Sequence, residues 1–102
     1  MFLAKVVGTV WATKKVDNLN QLRFLLVTPE KMHNKPTDEY VVVGDVLGAG
    51  IGEQVICAYG HAARKAINPQ NPDSLSIEAA VIGIVDKVDL PDTTKPEAKP
   101  DK

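Results

Sequence analysis

Three glycines in five residues, Gly48, Gly50 and Gly52, follow an apolar run and precede Glu53. A glycine-rich loop after a strand can cradle a phosphate with its backbone N–H groups. The spacing argues against that chemistry here. The dinucleotide fingerprint is G-x-G-x-x-G opening a helix. This chain has G-x-G-x-G, and the next residues, EQVICAY, have a strand pattern. The Gly-Lys-Ser/Thr ending of a phosphate-binding loop is also missing. What remains is a tight connection between two strands, where glycine permits positive φ and close backbone approach.

The other reactive side chains assemble into no obvious centre. His33 lies in a loop and His61 opens GHAAR, and neither has a second histidine or cysteine at metal-ligand spacing. Cys57, the single cysteine, sits among apolar neighbours and reads as a buried small hydrophobe rather than a nucleophile. Asp45 and Asp86 interrupt apolar strands. Paired carboxylates can do acid–base work, but a strand end or subunit seam, with hydrogen bonds or a salt bridge, is the expectation for each. Arg64 suits a planar bidentate contact, as the only arginine of its short helix. Trp11 is expected to pack at a barrel end or an interface. Base stacking needs a basic groove, and 12 Lys and Arg against 13 Asp and Glu leave a net charge of −1. No catalytic residue, cofactor or metal is assigned, and neither nucleic acid nor membrane is an expected partner.

The elements that must position these residues are short. FLAKVVGTVWA (2–12) alternates with Phe2, Ala4, Val6, Gly8, Val10 and Ala12 on one face. Further strands are expected at 22–28, 40–48, 53–60 and about 79–88. A helix of about two turns is expected in HAARKAI, which is rich in good helix formers. PEKMHNKPTDE reads as a loop, punctuated by Pro29 and Pro36. Five strands and little helix predict an all-β protein, a small, partly open barrel of oligonucleotide-binding-fold type. Several strands are apolar on both faces, as in VVV at 41–43 and VIGIV at 81–85. One face fills the barrel, and the other needs cover from the helix, from loops or from another subunit.

With 102 residues the chain is one domain. A domain of this size buries about 60–70% of its unfolded surface, so assembly would help it. From Asp89 the sequence is DLPDTTKPEAKPDK, with three prolines and many charges. Residues 90–102 are therefore expected to be a solvated tail following a domain at 1–89. Residues 1–12 lack a signal-peptide pattern, and the lone cysteine fits a reducing compartment. A cytoplasmic protein is expected.

Five segments, in order and spacing, resemble one family. They are AKVVGTVWATKK (4–15), LRFLLVTP (22–29), GDVLGAGIGEQV (44–55), GHAARKA (60–66) and AAVIGIVDKV (79–88). The resemblance is to the CcmL/EutN family of bacterial microcompartment vertex proteins, and it covers roughly residues 1–89. It implies a homopentamer of five-stranded barrels, each with a short helix. That pentamer would close the corners of a carboxysome or metabolosome shell in the bacterial cytoplasm, beside hexameric or pseudohexameric shell proteins. It also implies that Gly48, Ala49, Gly50, Gly52 and Glu53 lie near the subunit junctions and a narrow axial opening. A bulky Gly50 substitution is then expected to damage folding or ring assembly. Thr13, Lys14 and Lys15 match a corner expected to make ring or tile contacts. Arg64 matches a family arginine expected to bond within or between subunits, and His61 replaces the usual serine. The alternative is a small β-barrel module binding nucleic acid or peptide.

Overall fold

In a computed structural model, residues 1–31, 35–36 and 38–89 are described. His33 and the tail at 90–102 lie outside the described residues. The strands are β1 (Phe2–Val10), β2 (Arg23–Lys31), β3 (Lys35–Pro36), β4 (Val41–Asp45), β5 (Gln54–Tyr59) and β6 (Ala79–Ile84). One helix, α1 (Gly60–Ile67), follows β5 directly. The sheet order is β1-β5-β6-β4-β2-β3, and β1 also pairs with β2. That last pairing joins the five long strands into a closed barrel, which removes the exposed edges an open sheet would leave. The barrel is therefore closed rather than partly open. Its thinnest join is β4 to β6, a single parallel pair of Gly44 with Ala80.

A barrel of five strands has a narrow interior, and the inward residues are correspondingly small. Ala4, Val6, Leu25, Val27, Val43, Val55, Cys57 and Val81 form the core, with Ala49 among them. Each fully buried valine or leucine contributes roughly 1.5–3 kcal/mol. A second, smaller cluster lies between the barrel and the helix, where Ala63 packs on Ala58 and Ala80 beside Ile67, Ile77 and Ile82. Alanine on all three elements lets the helix approach the sheet closely. α1 thus supplies the local cover that the doubly apolar β5 and β6 require.

Three departures from the expected strands bear on the site. First, β1 contains a bulge between Val6 and Gly8. A bulge adds one residue to a strand and reverses the alternation beyond it. Val6 still pairs with the buried Val27, but Gly8 then stands opposite Leu26 and Thr9 opposite the buried Leu25. The single face expected for residues 2–12 therefore breaks at Val7. Second, β2 runs on through Pro29 instead of stopping before it. β4 pairing ends at Val27 with Val41, and β3 pairing starts at Glu30. Pro29 falls between these two ladders and interrupts neither, while on its other side it stands opposite Ala4 of β1. Third, β4 stops at Asp45 rather than continuing to Gly48, because the Asp45 carboxylate turns the chain.

Candidate subunit-junction site

Asp45 ends β4 directly opposite Arg23, the first residue of β2. Its side chain is fully buried, whereas that of Arg23 is 44% exposed. A buried carboxylate is tolerated only when its lone pairs are filled, and here the loop itself fills them. The Leu47 N–H donates to Asp45 Oδ1 at 2.9 Å. Those of Gly48 and Ala49 donate to Oδ2 at 3.1 and 2.9 Å. Arg23 Nη1 donates to the same Oδ2 at 2.9 Å and to the Ala49 carbonyl at 2.7 Å. Asp45 is thus the organiser of a turn, and its oxygens are occupied by structural donors.

This turn seats Ala49, which is fully buried and belongs to the barrel core. Residues 46–53 form a plug loop, with Ala49 closing one end of the barrel. The far side of the loop is joined to β1. Gly52 N–H donates to the Val6 carbonyl at 2.8 Å, and Val6 N–H donates to that of Glu53 at 3.0 Å. Between these anchors Gly50 N–H donates to Glu53 Oε1 at 2.6 Å, and Glu53 N–H donates back to the Gly50 carbonyl at 3.1 Å. Gly48 and Gly52 have φ of +87° and +92°, the left-handed region where a Cβ is strained. Gly50 has no positive φ, and a Cβ there would meet Glu53 Oε1 at an ordinary 3.5 Å. Two of the three glycines are therefore required by the subunit's own backbone. Val46, Leu47 and Ile51 stand exposed around them.

The other candidate residues lie apart from this loop. Arg64 Nη1 donates to the Ile77 carbonyl at 3.1 Å and to Glu78 Oε1 at 3.3 Å. The Gly60 N–H donates to the Glu78 carbonyl at 2.7 Å. Arg64 therefore bonds within the subunit, tying α1 to the segment that leads into β6. His61 is exposed on the first turn of α1, at the other end of β5 from the plug loop. Thr13 and Lys14 are exposed beyond β1, and Lys15 Nζ donates to the Ala12 carbonyl at 3.0 Å. Asp86 lies exposed on a bend after β6, outside the strand expected to hold it. Trp11 is 90% exposed, so it does not pack on the barrel of its own subunit. Cys57 is buried in the core, where loss of solvation and then the Asp45 charge push its thiol up to about 12. Among the described residues no three His, Cys, Asp or Glu side chains converge as metal ligands.

Sequence reasoning did not find Arg23. The available signal was the antiparallel pairing of β2 and β4, which sets a basic strand start opposite an acidic strand end.

Comparison with known proteins brings the same fold into view. Residues 1–86 match the family model described as ethanolamine utilisation protein EutN/carboxysome. The carboxysome shell vertex protein CcmL of Synechocystis sp. is 44% identical over 91 residues, which cover 88% of this chain and 87% of that protein. The bacterial microcompartment shell vertex protein GrpN of Rhodospirillum rubrum is 40% identical over 89 residues, 87% of this chain and 97% of that protein. The solved structure of the pentameric GrpN shell protein aligns with a TM-score of 0.76, covering 88% of this chain and 100% of the other. That of Gloeobacter violaceus CcmL aligns with a TM-score of 0.80 at 32% identity, covering 88% and 90%. With its barrel matched across nearly the whole length of these relatives, this chain belongs to the CcmL/EutN family of bacterial microcompartment vertex proteins.

Proposed function

We propose that this chain is a structural shell protein whose homopentamer caps the vertices of a polyhedral bacterial microcompartment in the cytoplasm. One observation carries the reading: the barrel matches GrpN, a pentameric microcompartment shell protein, over the whole of that chain. The geometric need is elementary. A flat sheet of sixfold tiles closes into a polyhedron only if fivefold corners are introduced. A ring of five requires a head-to-tail contact between two different patches of each subunit, at a rotation that closes. A small barrel with apolar outer positions is suited to that role. Its role is scaffolding, as the names of its shell vertex relatives suggest, and Asp45, the one buried carboxylate among the described residues, is committed to a turn.

The finer reading places the plug loop, Gly48 to Glu53, near the subunit junctions and the axial opening. It places Thr13, Lys14 and Lys15 at contacts with the ring or with hexameric or pseudohexameric tiles. Native mass spectrometry of the full chain tests the central claim. A five-copy species is expected, and a protein found only as monomer or dimer would sink it. Co-expression with hexameric shell proteins then tests capping: closed particles are expected with this chain, and open sheets or tubes without it.

A further inference from the structure

Four of the five joins around the barrel are antiparallel ladders of several residues. The fifth is not, for β4 meets β6 at the single pair Gly44 and Ala80. Without that pair the long strands would lie as an open antiparallel sheet in the order β4-β2-β1-β5-β6, with β4 and β6 as its edges. Unpaired edges are templates for strand exchange and aggregation. A seam this thin needs support from side chains.

The support comes from two connections that are remote in sequence. On the β6 side, Ala63 of α1 covers Ala80. On the β4 side, a Cβ built on Gly44 would lie 3.1 Å from Leu22 Cδ2 and 3.6 Å from Ile77 Cδ1. Leu22 ends the connection from β1 to β2, and Ile77 belongs to the connection from α1 to β6. Their side chains thus converge over Gly44, and Ile77 also packs against the alanine cluster that holds Ala80. The same two connections share a hydrogen bond between residues 58 apart, from the Ser76 N–H to Asn18 Oδ1 at 3.0 Å. Each arm is fixed at its own base. Leu22 N–H donates to the Leu19 carbonyl at 3.2 Å, following Gln21 in the left-handed region at φ +69°. Arg64 holds the Ile77 carbonyl. Beside this contact the two sides part. A hollow of about 170 Å³ opens there, lined by Leu19, Phe24 and Val42 from one side and by Ser76, Glu78 and Ala79 from the other. Atoms lining such a void lack partners across it.

We propose that the Gly44–Ala80 seam is where the barrel opens first, and that Leu22, Ile77 and the Asn18–Ser76 bond form a clasp that keeps it shut. Opening here breaks one backbone pair, whereas opening at any other join breaks a ladder. Local openings follow the least costly set of contacts. The clasp therefore sets how often β4 and β6 are exposed as edges. It is a property of the single subunit and does not depend on the ring.

The test is amide exchange of the full-length protein, read by mass spectrometry of peptides from β1, β4 and β6. β1 is the reference strand, because Ala4 and Lys5 are paired on both sides. Leu22→Ala is expected to speed exchange in β4 and β6 by roughly tenfold or more, with β1 staying within about twofold of the wild type. Asn18→Ala removes one exposed side-chain bond and is expected to give about threefold in the same peptides. Both accelerations are expected to be independent of protein concentration, which dissociation of an assembly is not. Equal acceleration in β1, β4 and β6 would show that the seam opens only with the whole barrel. No acceleration, or one that varies with concentration, would equally overturn the clasp. If Leu22→Ala does not fold, Asn18→Ala decides alone, because Asn18 is exposed and its loss leaves the core intact.

Discussion

Arg23 and Asp45 face each other across β2 and β4, with Nη1 2.9 Å from Oδ2, and between them they hold the plug loop. The carboxylate binds three loop N–H groups, and the guanidinium reaches the Ala49 carbonyl at 2.7 Å. The ion pair is thus the means by which a strand end is folded back over the barrel mouth.

Removing the carboxylate should be costly. Asp45→Ala strands three loop N–H groups and leaves Arg23 without its charge partner. A loss of about 3–5 kcal/mol in unfolding free energy is expected. Arg23→Lys keeps the charge on a more exposed residue and should lose less, about 1–2 kcal/mol. Urea denaturation of each variant measures both. A loss below 1 kcal/mol for Asp45→Ala would show that the turn holds without its carboxylate.

The three glycines should separate by experiment. Gly48→Ala and Gly52→Ala force a side chain into positive φ, at about 1–2 kcal/mol each. Gly50→Ala finds ordinary φ and room beside Glu53, so subunit stability should stay within about 0.5 kcal/mol of the wild type. The damage expected from Gly50→Val must then arise between subunits. Thermal unfolding and ring mass, measured on the same variants, distinguish the two kinds of effect.

Cys57 predicts a pH dependence. Burial pushes its thiol up to about 12, from 9.0 for the free side chain. Between those values the folded state keeps a proton that the unfolded state has released. The contribution to stability is whole below pH 9 and declines as pH rises toward 12, by up to about 1.4 kcal/mol per pH unit. Cys57→Ala should remove that component of the slope, so the two unfolding curves should converge above pH 9. In the native wild type at pH 8 the thiol should resist an aromatic disulfide reagent and react only after denaturation.

Arg64 holds α1 against the segment before β6. Its Glu78 partner is largely exposed, so that ion pair contributes little. The bond to the Ile77 carbonyl is worth more, about 1 kcal/mol. Arg64→Ala should speed amide exchange in α1, while Glu78→Gln should leave it nearly unchanged. Equal effects from both would contradict this division.

Lys14 and Lys15 test the outward contacts. Replacing both with alanine should leave the barrel folded, because Lys14 is exposed and Lys15 bonds the nearby Ala12 carbonyl. Co-assembly with hexameric shell proteins should weaken. Normal shell closure by the double variant would remove these lysines from the contact.

The sequence by itself determined the number and order of the long strands, the short helix after β5 and the apolar character of both strand faces. It did so because side-chain periodicity and helix propensity act over a few neighbouring residues. It also excluded a phosphate loop at Gly48 to Gly52, since spacing is a one-dimensional property. Tertiary structure alone decided where alternation fails at Val7, why Pro29 stays inside a strand and why β4 stops at Asp45. Each depends on which residue stands opposite on another strand. Periodicity is silent about partners more than twenty residues away, such as Arg23 for Asp45. The glycines make the same point. Their composition marked a corner, but only the closed barrel separated the two that bend the backbone from Gly50, and only there does Ala49 become the plug between them.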